Sequence, residues 1–93
     1  KRIKGITSIK SLQELKNLTF LSLRGHLIYD ISPLDKLTKL EYLILSKNKI
    51  HDISYLAKLK NLNKLGISGN LISKNDIEWL RKQLPKCKII SDH

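Results

Sequence analysis

The sequence predicts an α/β repeat solenoid, with a parallel β-sheet on the concave face, 3₁₀ or irregular return arms on the convex face, and an α-helical cap at the C-terminal end. Three observations carry that prediction. Leu18, Leu40, Leu62 and Leu84 recur at one constant 22-residue step, and further apolar positions keep the same step, among them Ile9, Ile31 and Ile53, and Leu12, Leu34 and Leu56. Within each period a Leu-x-Leu pair (21/23, 43/45) shows the two-residue alternation of a strand, both leucines inward and the residue between them outward. After the strand, Ile and Leu return every third residue (28, 31, 34, 37, then 50, 53, 56, 59), the period of a 3₁₀ helix rather than an α-helix.

Composition agrees with one kind of core met repeatedly. Of 93 residues, 18 are Leu and 13 are Ile, with no Val or Met, so one aliphatic environment is built again and again. The length allows one domain, 1–93, made of a partial N-terminal repeat (1–17), repeats at 18–39, 40–61 and 62–83, and a last strand within 84–93. A single coil cannot cover its own Leu and Ile, so neighbours must stack.

Taken in order, residues 1–17 supply Ile6, Ile9, Leu12 and Leu15 to the stack, with Arg2-Ile-Lys-Gly-Ile6 standing where a strand would be. This is either an abbreviated cap or the edge of a longer array. A first strand left uncovered would be an edge able to pair with another chain. The second full unit reads Leu40-Glu-Tyr-Leu43-Ile-Leu45-Ser-Lys-Asn48-Lys-Ile50, and the third repeats Leu62, Leu65, Ile67, Asn70 and Ile72. With the Asp-Ile-Ser-x-Leu-x-x-Leu segments at 30–37 and 52–59, these motifs resemble the leucine-rich-repeat family, in the 22-residue subclass of protein-phosphatase regulatory subunits and bacterial internalins. The resemblance runs from residue 6 to about residue 90. It implies that Asn48 and Asn70 satisfy buried backbone groups where the chain leaves the strand. His26 replaces that Asn in the first unit, and either an outer coil tolerates the change or the imidazole supplies one of the bonds; a metal or pH role is the lesser alternative. Asp30 and Asp52 are expected to cap the return arms.

At the other end, Ser73 and Asp76 form a capping-box variant that opens a helix through about Leu84, stopped by Pro85. Trp79 is expected to lie half-buried against the stack end as packing. Cys87 falls one full period after Leu65 and is expected to be buried and inert, with a final strand following.

The outward positions of the strands are where function would sit. Continuing the same step gives the columns Phe20, Tyr42, Lys64, Lys86, then Ser22, Ile44, Gly66, Lys88, then Arg24, Ser46, Ser68, Ile90, flanked by Gly25, Lys47 and Gly69. The candidate partner-binding residues are Phe20, Arg24, Tyr42, Ile44, Lys47, Lys64, Lys86 and Lys88. They make an aromatic and aliphatic patch beside a lysine patch, as protein hot spots do, with the small residues leaving room for an inserted side chain. The bland alternative is that Phe20 and Tyr42 only stack across strands. The family resemblance implies a protein partner on the concave face, here one with an acidic and apolar surface.

A net charge of +10 keeps a polyanion such as nucleic acid as the alternative partner. Only 3 of the 18 basic residues are Arg, the residue that forks to phosphate and guanine, which argues against it. The chain reads as no enzyme, needing no cofactor or metal: His26, His51 and His93 are scattered, and no phosphate loop or metal-spaced cluster occurs. No run approaches the roughly 18 apolar residues of a membrane span. One cysteine and an N-terminus without an apolar run lean towards the cytoplasm, with a secreted or cell-surface placement as the alternative.

Overall fold

A computed structural model describes residues 8–93. The reading of Arg2–Ile6 as a strand substitute, and of Ile6 as a stacking residue, lies outside the described residues. Among the described residues the strands are β1 (Phe20–Ser22), β2 (Tyr42–Ile44), β3 (Lys64–Gly66) and β4 (Lys88–Ile90). They form one parallel sheet in chain order.

Opposite the sheet run 3₁₀ segments at Lys10–Glu14, Ser32–Lys36 and Ser54–Lys58. The three-residue apolar rhythm is also the hydrogen-bond rhythm. Leu34 N–H donates to Ile31 O at 2.9 Å, Leu37 to Leu34 at 3.0 Å and Leu40 to Leu37 at 3.1 Å, and the series repeats from Ile53 to Leu62. Residues three apart eclipse in such a turn, so every Ile and Leu of the series faces the same way. In the second and third arms they face inward, Ile31, Leu34, Leu37, Ile53, Leu56 and Leu59 all being buried, whereas Leu15 of the first arm, expected to stack, is 47% exposed.

Asn48 ties neighbouring coils together at the strand exit. Its Oδ1 accepts from Ile28 N–H at 3.0 Å, and its Nδ2 donates to Leu23 O at 2.9 Å and Leu45 O at 3.0 Å. Asn70 repeats the arrangement one coil on, with Ile50 N–H and the Leu45 and Ile67 carbonyls. His26 occupies the matching turn and is partly buried.

Asp30 and Asp52 secure the entry to the second and third arms. Each Oδ1 accepts the backbone N–H two residues on, at Ser32 (2.9 Å) and Ser54 (3.0 Å). These backbone bonds, helped by the serine side chains, hold both carboxyls below the usual carboxylate value. A depressed folded-state value means the stabilisation is complete above about pH 4 and is lost as pH falls through the lowered values. Stability of the wild type should therefore drop on acidification in this window, and the Asp30→Asn, Asp52→Asn double variant should show a shallower drop. Urea melts between neutral and strongly acid pH would reveal it; parallel curves would refute the cap assignment.

The capping box also forms. Ser73 Oγ accepts from Asp76 N–H at 3.1 Å, opening the helix α1 (Lys74–Gln83), whose Ile77 and Leu80 are buried against the stack. This helix changes the register of everything after it. Lys88, not Lys86, pairs with Lys64, and Ile89, not Cys87, pairs with Leu65, so the last step is two positions longer than the others. The reason is the length of the arm. A ten-residue α-helix rises only about 1.5 Å per residue, so it takes more chain to return to the sheet than a five-residue 3₁₀ segment with its flanking coil. Cys87 consequently stands beside the last strand and not within the leucine column. It is half-buried, and desolvation pushes its thiol up, which disfavours the thiolate although it is no core residue.

The end of the sheet is held by side chains. Arg81 Nη1 donates to Ile89 O at 3.2 Å and its Nη2 to His93 O at 3.1 Å. Asp92 Oδ2 accepts from Gly69 N–H at 2.9 Å, the part played one coil earlier by the Ser68 carbonyl for Lys47 N–H.

Candidate functional site

Parallel sheets usually have both faces covered. Here the concave face is open, and the alternation of each strand decides what it shows. Register places Phe20, Tyr42, Lys64 and Lys88 in one row, and Ser22, Ile44, Gly66 and Ile90 in the next.

The first row divides by chemistry. Phe20 and Tyr42 have ring centroids 6.5 Å apart at a 49° tilt, within the range of a favourable aromatic pair. Pairing does not hide them: Phe20 remains 60% exposed and Tyr42 44%. Lys64 and Lys88 follow, both exposed, on strands that sit about 4.8 Å apart. Their ammonium groups carry like charge on neighbouring strands and repel through water. The one ion pair among the described residues, Lys58 to Asp35 at 3.6 Å, lies on the return arms and does nothing to relieve them.

The second row differs from the extrapolated step. Ile90, 40% exposed, stands where Lys88 was expected, so the apolar patch reappears at the far end of the face. No signal in the spacing could have found it, because the cap helix alone sets the offset. Gly66 is buried, and the room expected there is narrow. A Cβ there would lie 3.3 Å from Ile44 Cδ1 and 3.3 Å from Ser46 Oγ, so Ile44 leans across the gap. Ser46, expected to face outward, is only 8% exposed between its neighbours.

Arg24 is exposed where the chain leaves β1. Lys47, also exposed, carries φ 61° at the turn where Gly25 and Gly69 carry φ 80° and 71°. The left-handed region costs a non-glycine residue about 1–2 kcal/mol. A lysine kept there is thus a strained position at the rim of the face. Lys86 is exposed but precedes β4 and lies outside the row of Lys64 and Lys88. The structure therefore brings Phe20, Tyr42, Ile44, Lys64 and Lys88 onto one surface, with Arg24 and Lys47 at its edge. Among the described residues, no group of three or more His, Cys, Asp or Glu could hold a metal ion, and no helix is long and apolar enough to cross a membrane.

This geometry has relatives. A family model for leucine-rich repeats, two copies, matches residues 38–82. Among solved structures, internalin C2 from Listeria monocytogenes superposes with a TM-score of 0.81 at 34% identity, over 94% of this chain and 40% of that one. A leucine-rich-repeat protein from Leptospira interrogans gives 0.80 at 35% identity, over 92% and 22%. A second Listeria internalin, internalin F, gives 0.66 at 25%, over 95% and 33%. No curated protein matches the sequence. The chain belongs to the leucine-rich-repeat proteins. Within them its coils are internalin-like, and it spans less than half the length of each of these structures. Such proteins commonly serve protein–protein interaction, and the internalin-like fold is generally a binding scaffold rather than an enzyme.

Proposed function

We propose that this chain is a protein-interaction module whose concave face binds a partner through an apolar anchor beside an acidic group. The observation that carries the reading is the row itself: two paired yet exposed aromatics run directly into two unneutralised lysines on an open sheet. A partner side chain set near Tyr42 and Ile44 removes apolar surface from water. A carboxylate set between Lys64 and Lys88 relieves their repulsion. Arg24 and Lys47 extend the positive rim, and Lys86 adds a further positive charge just before β4.

Peptides carrying an aromatic or aliphatic anchor next to Asp or Glu would be screened against the intact chain, and the binders retested on variants. Tyr42→Ala and Lys64→Glu should each weaken binding by roughly tenfold or more, equivalent to about 1.4 kcal/mol. Lys64→Glu should melt as the wild type does, and Tyr42→Ala should lose only about 1 kcal/mol with its ring pair, leaving both folded. Unaltered affinity in both variants would remove the concave site. The net charge of +10 favours a second reading, a polyanion ligand. A single-stranded oligonucleotide whose affinity falls steeply with salt, and which ignores Tyr42→Ala, would support that reading instead.

A further inference from the structure

A second aromatic row lies off the sheet, on the flank where each coil enters its return arm. Tyr29 is 59% exposed and Trp79 39%, and Tyr55 is partly buried between them in chain order. Two hollows adjoin along this flank. One, of about 290 Å³, is lined by Tyr29, Asp30, His51, Asp52 and Tyr55. The next, of about 270 Å³, is lined by Asp52, Asp76 and Trp79, so Asp52 borders both.

Three of the five aromatic residues therefore stand here, each beside a carboxylate. The backbone N–H bonds of both caps run to Oδ1, so the second oxygen of each carboxylate is not needed for them. None of Asp30, Asp52 and Asp76 takes part in the ion pair of the described residues. With a net charge of +10, most of the surface repels a cation, so the sign of this flank makes it a distinct place for one to dock. Aromatic faces next to carboxylates favour guanidinium above all, since its plane stacks while its N–H groups fork to oxygen. The carboxylates also come one per coil. Alternate side chains of an extended segment point the same way about 6.7 Å apart, a step that long basic side chains adapt to successive coils.

We propose that the flank formed by Tyr29, Asp30, Asp52, Tyr55, Asp76 and Trp79 is a second docking surface, and that its occupant is an extended, arginine-rich segment of a partner protein. Trp79, which the sequence suggests as packing ahead of a ligand platform, then serves also as the platform on which a guanidinium stacks. This surface is independent of the concave face and stands or falls separately from it.

Trp79 is the single tryptophan of the chain, so its emission reports from this flank alone. The intact chain would be titrated with octa-arginine, and with octa-glutamate as the opposite charge. Octa-arginine should change the emission saturably, with affinity falling as salt rises. The Asp30→Asn, Asp52→Asn double variant keeps the oxygens that accept the Ser32 and Ser54 amides but loses the charges. It should weaken binding roughly tenfold or more while staying folded at neutral pH, with its melt lowered only by the charge lost from the two caps. The Tyr42→Ala, Lys64→Glu double variant should bind octa-arginine as the wild type does. No emission change with octa-arginine, or undiminished affinity in the Asn variant, would overturn the proposal. So would an equal response to octa-glutamate. A shift in emission with protein concentration alone would assign the flank to a second copy of the chain and overturn it equally.

Discussion

Replacing Asn48 by Ala should cost about 3 kcal/mol of folding stability. The side chain is 5% exposed and bridges two coils: its oxygen takes the Ile28 N–H, and its amide nitrogen serves Leu23 O and Leu45 O. Ile28 is fully buried, so no water replaces the lost acceptor. Each buried group left unpaired costs about 1–3 kcal/mol, whereas a satisfied bond contributes only about 1 kcal/mol net. The loss is therefore dominated by what is orphaned. A domain of this size holds about 5–15 kcal/mol in total, so the variant should unfold at a much lower urea concentration. Asn70 makes the same set of bonds but is itself only partly buried, so water can enter where its side chain is truncated. Asn70→Ala should cost clearly less. Equal losses for the two, measured in urea, would contradict the role given to burial.

Leu43→Ala should cost about 2–5 kcal/mol, the range for emptying a buried leucine site that its surroundings cannot close. Leu43 sits on β2 between Leu21 of β1 and Leu65 of β3, and it is fully buried. Collapse into the cavity is opposed by the strands on both sides, which are pinned by parallel ladder bonds such as Leu23 N–H to Ile44 O at 2.8 Å and Leu45 N–H to Gly66 O at 2.7 Å. Leu21 is partly exposed, so Leu21→Ala removes less burial and should cost less. Denaturation midpoints for the two variants give the comparison directly. If Leu21→Ala proves as costly as Leu43→Ala, the stack has no protected centre.

Much of this arrangement can be read along the chain. The return arms are legible because the Ile31–Leu34–Leu37 rhythm and the i to i+3 backbone bonds share one period, so side-chain pattern and backbone geometry report the same thing. The Asn48 bridge and the Ser73 cap are legible because each side chain reaches groups at fixed, short offsets in its own or the adjoining coil. The aromatic half of the candidate site is legible for the same reason, since Phe20 and Tyr42 lie one unbroken period apart. The far half is not, because the cap helix intervenes. Lys86 and Lys88 exchange roles and Ile90 joins the face once that helix has lengthened the last step.

Residue order is enough for everything governed by a constant repeat: the stacked coils, the inward leucines, the parallel order of the strands and the exposed aromatic pair. Packing chose which residue meets which after Gln83, how Ile44 covers Gly66, and that Tyr29, Tyr55 and Trp79 share one flank. The physical reason is that a period carries position only while each coil has equal length. Where an α-helix replaces a 3₁₀ arm, or a flexible side chain chooses its neighbour, contacts in three dimensions settle the outcome.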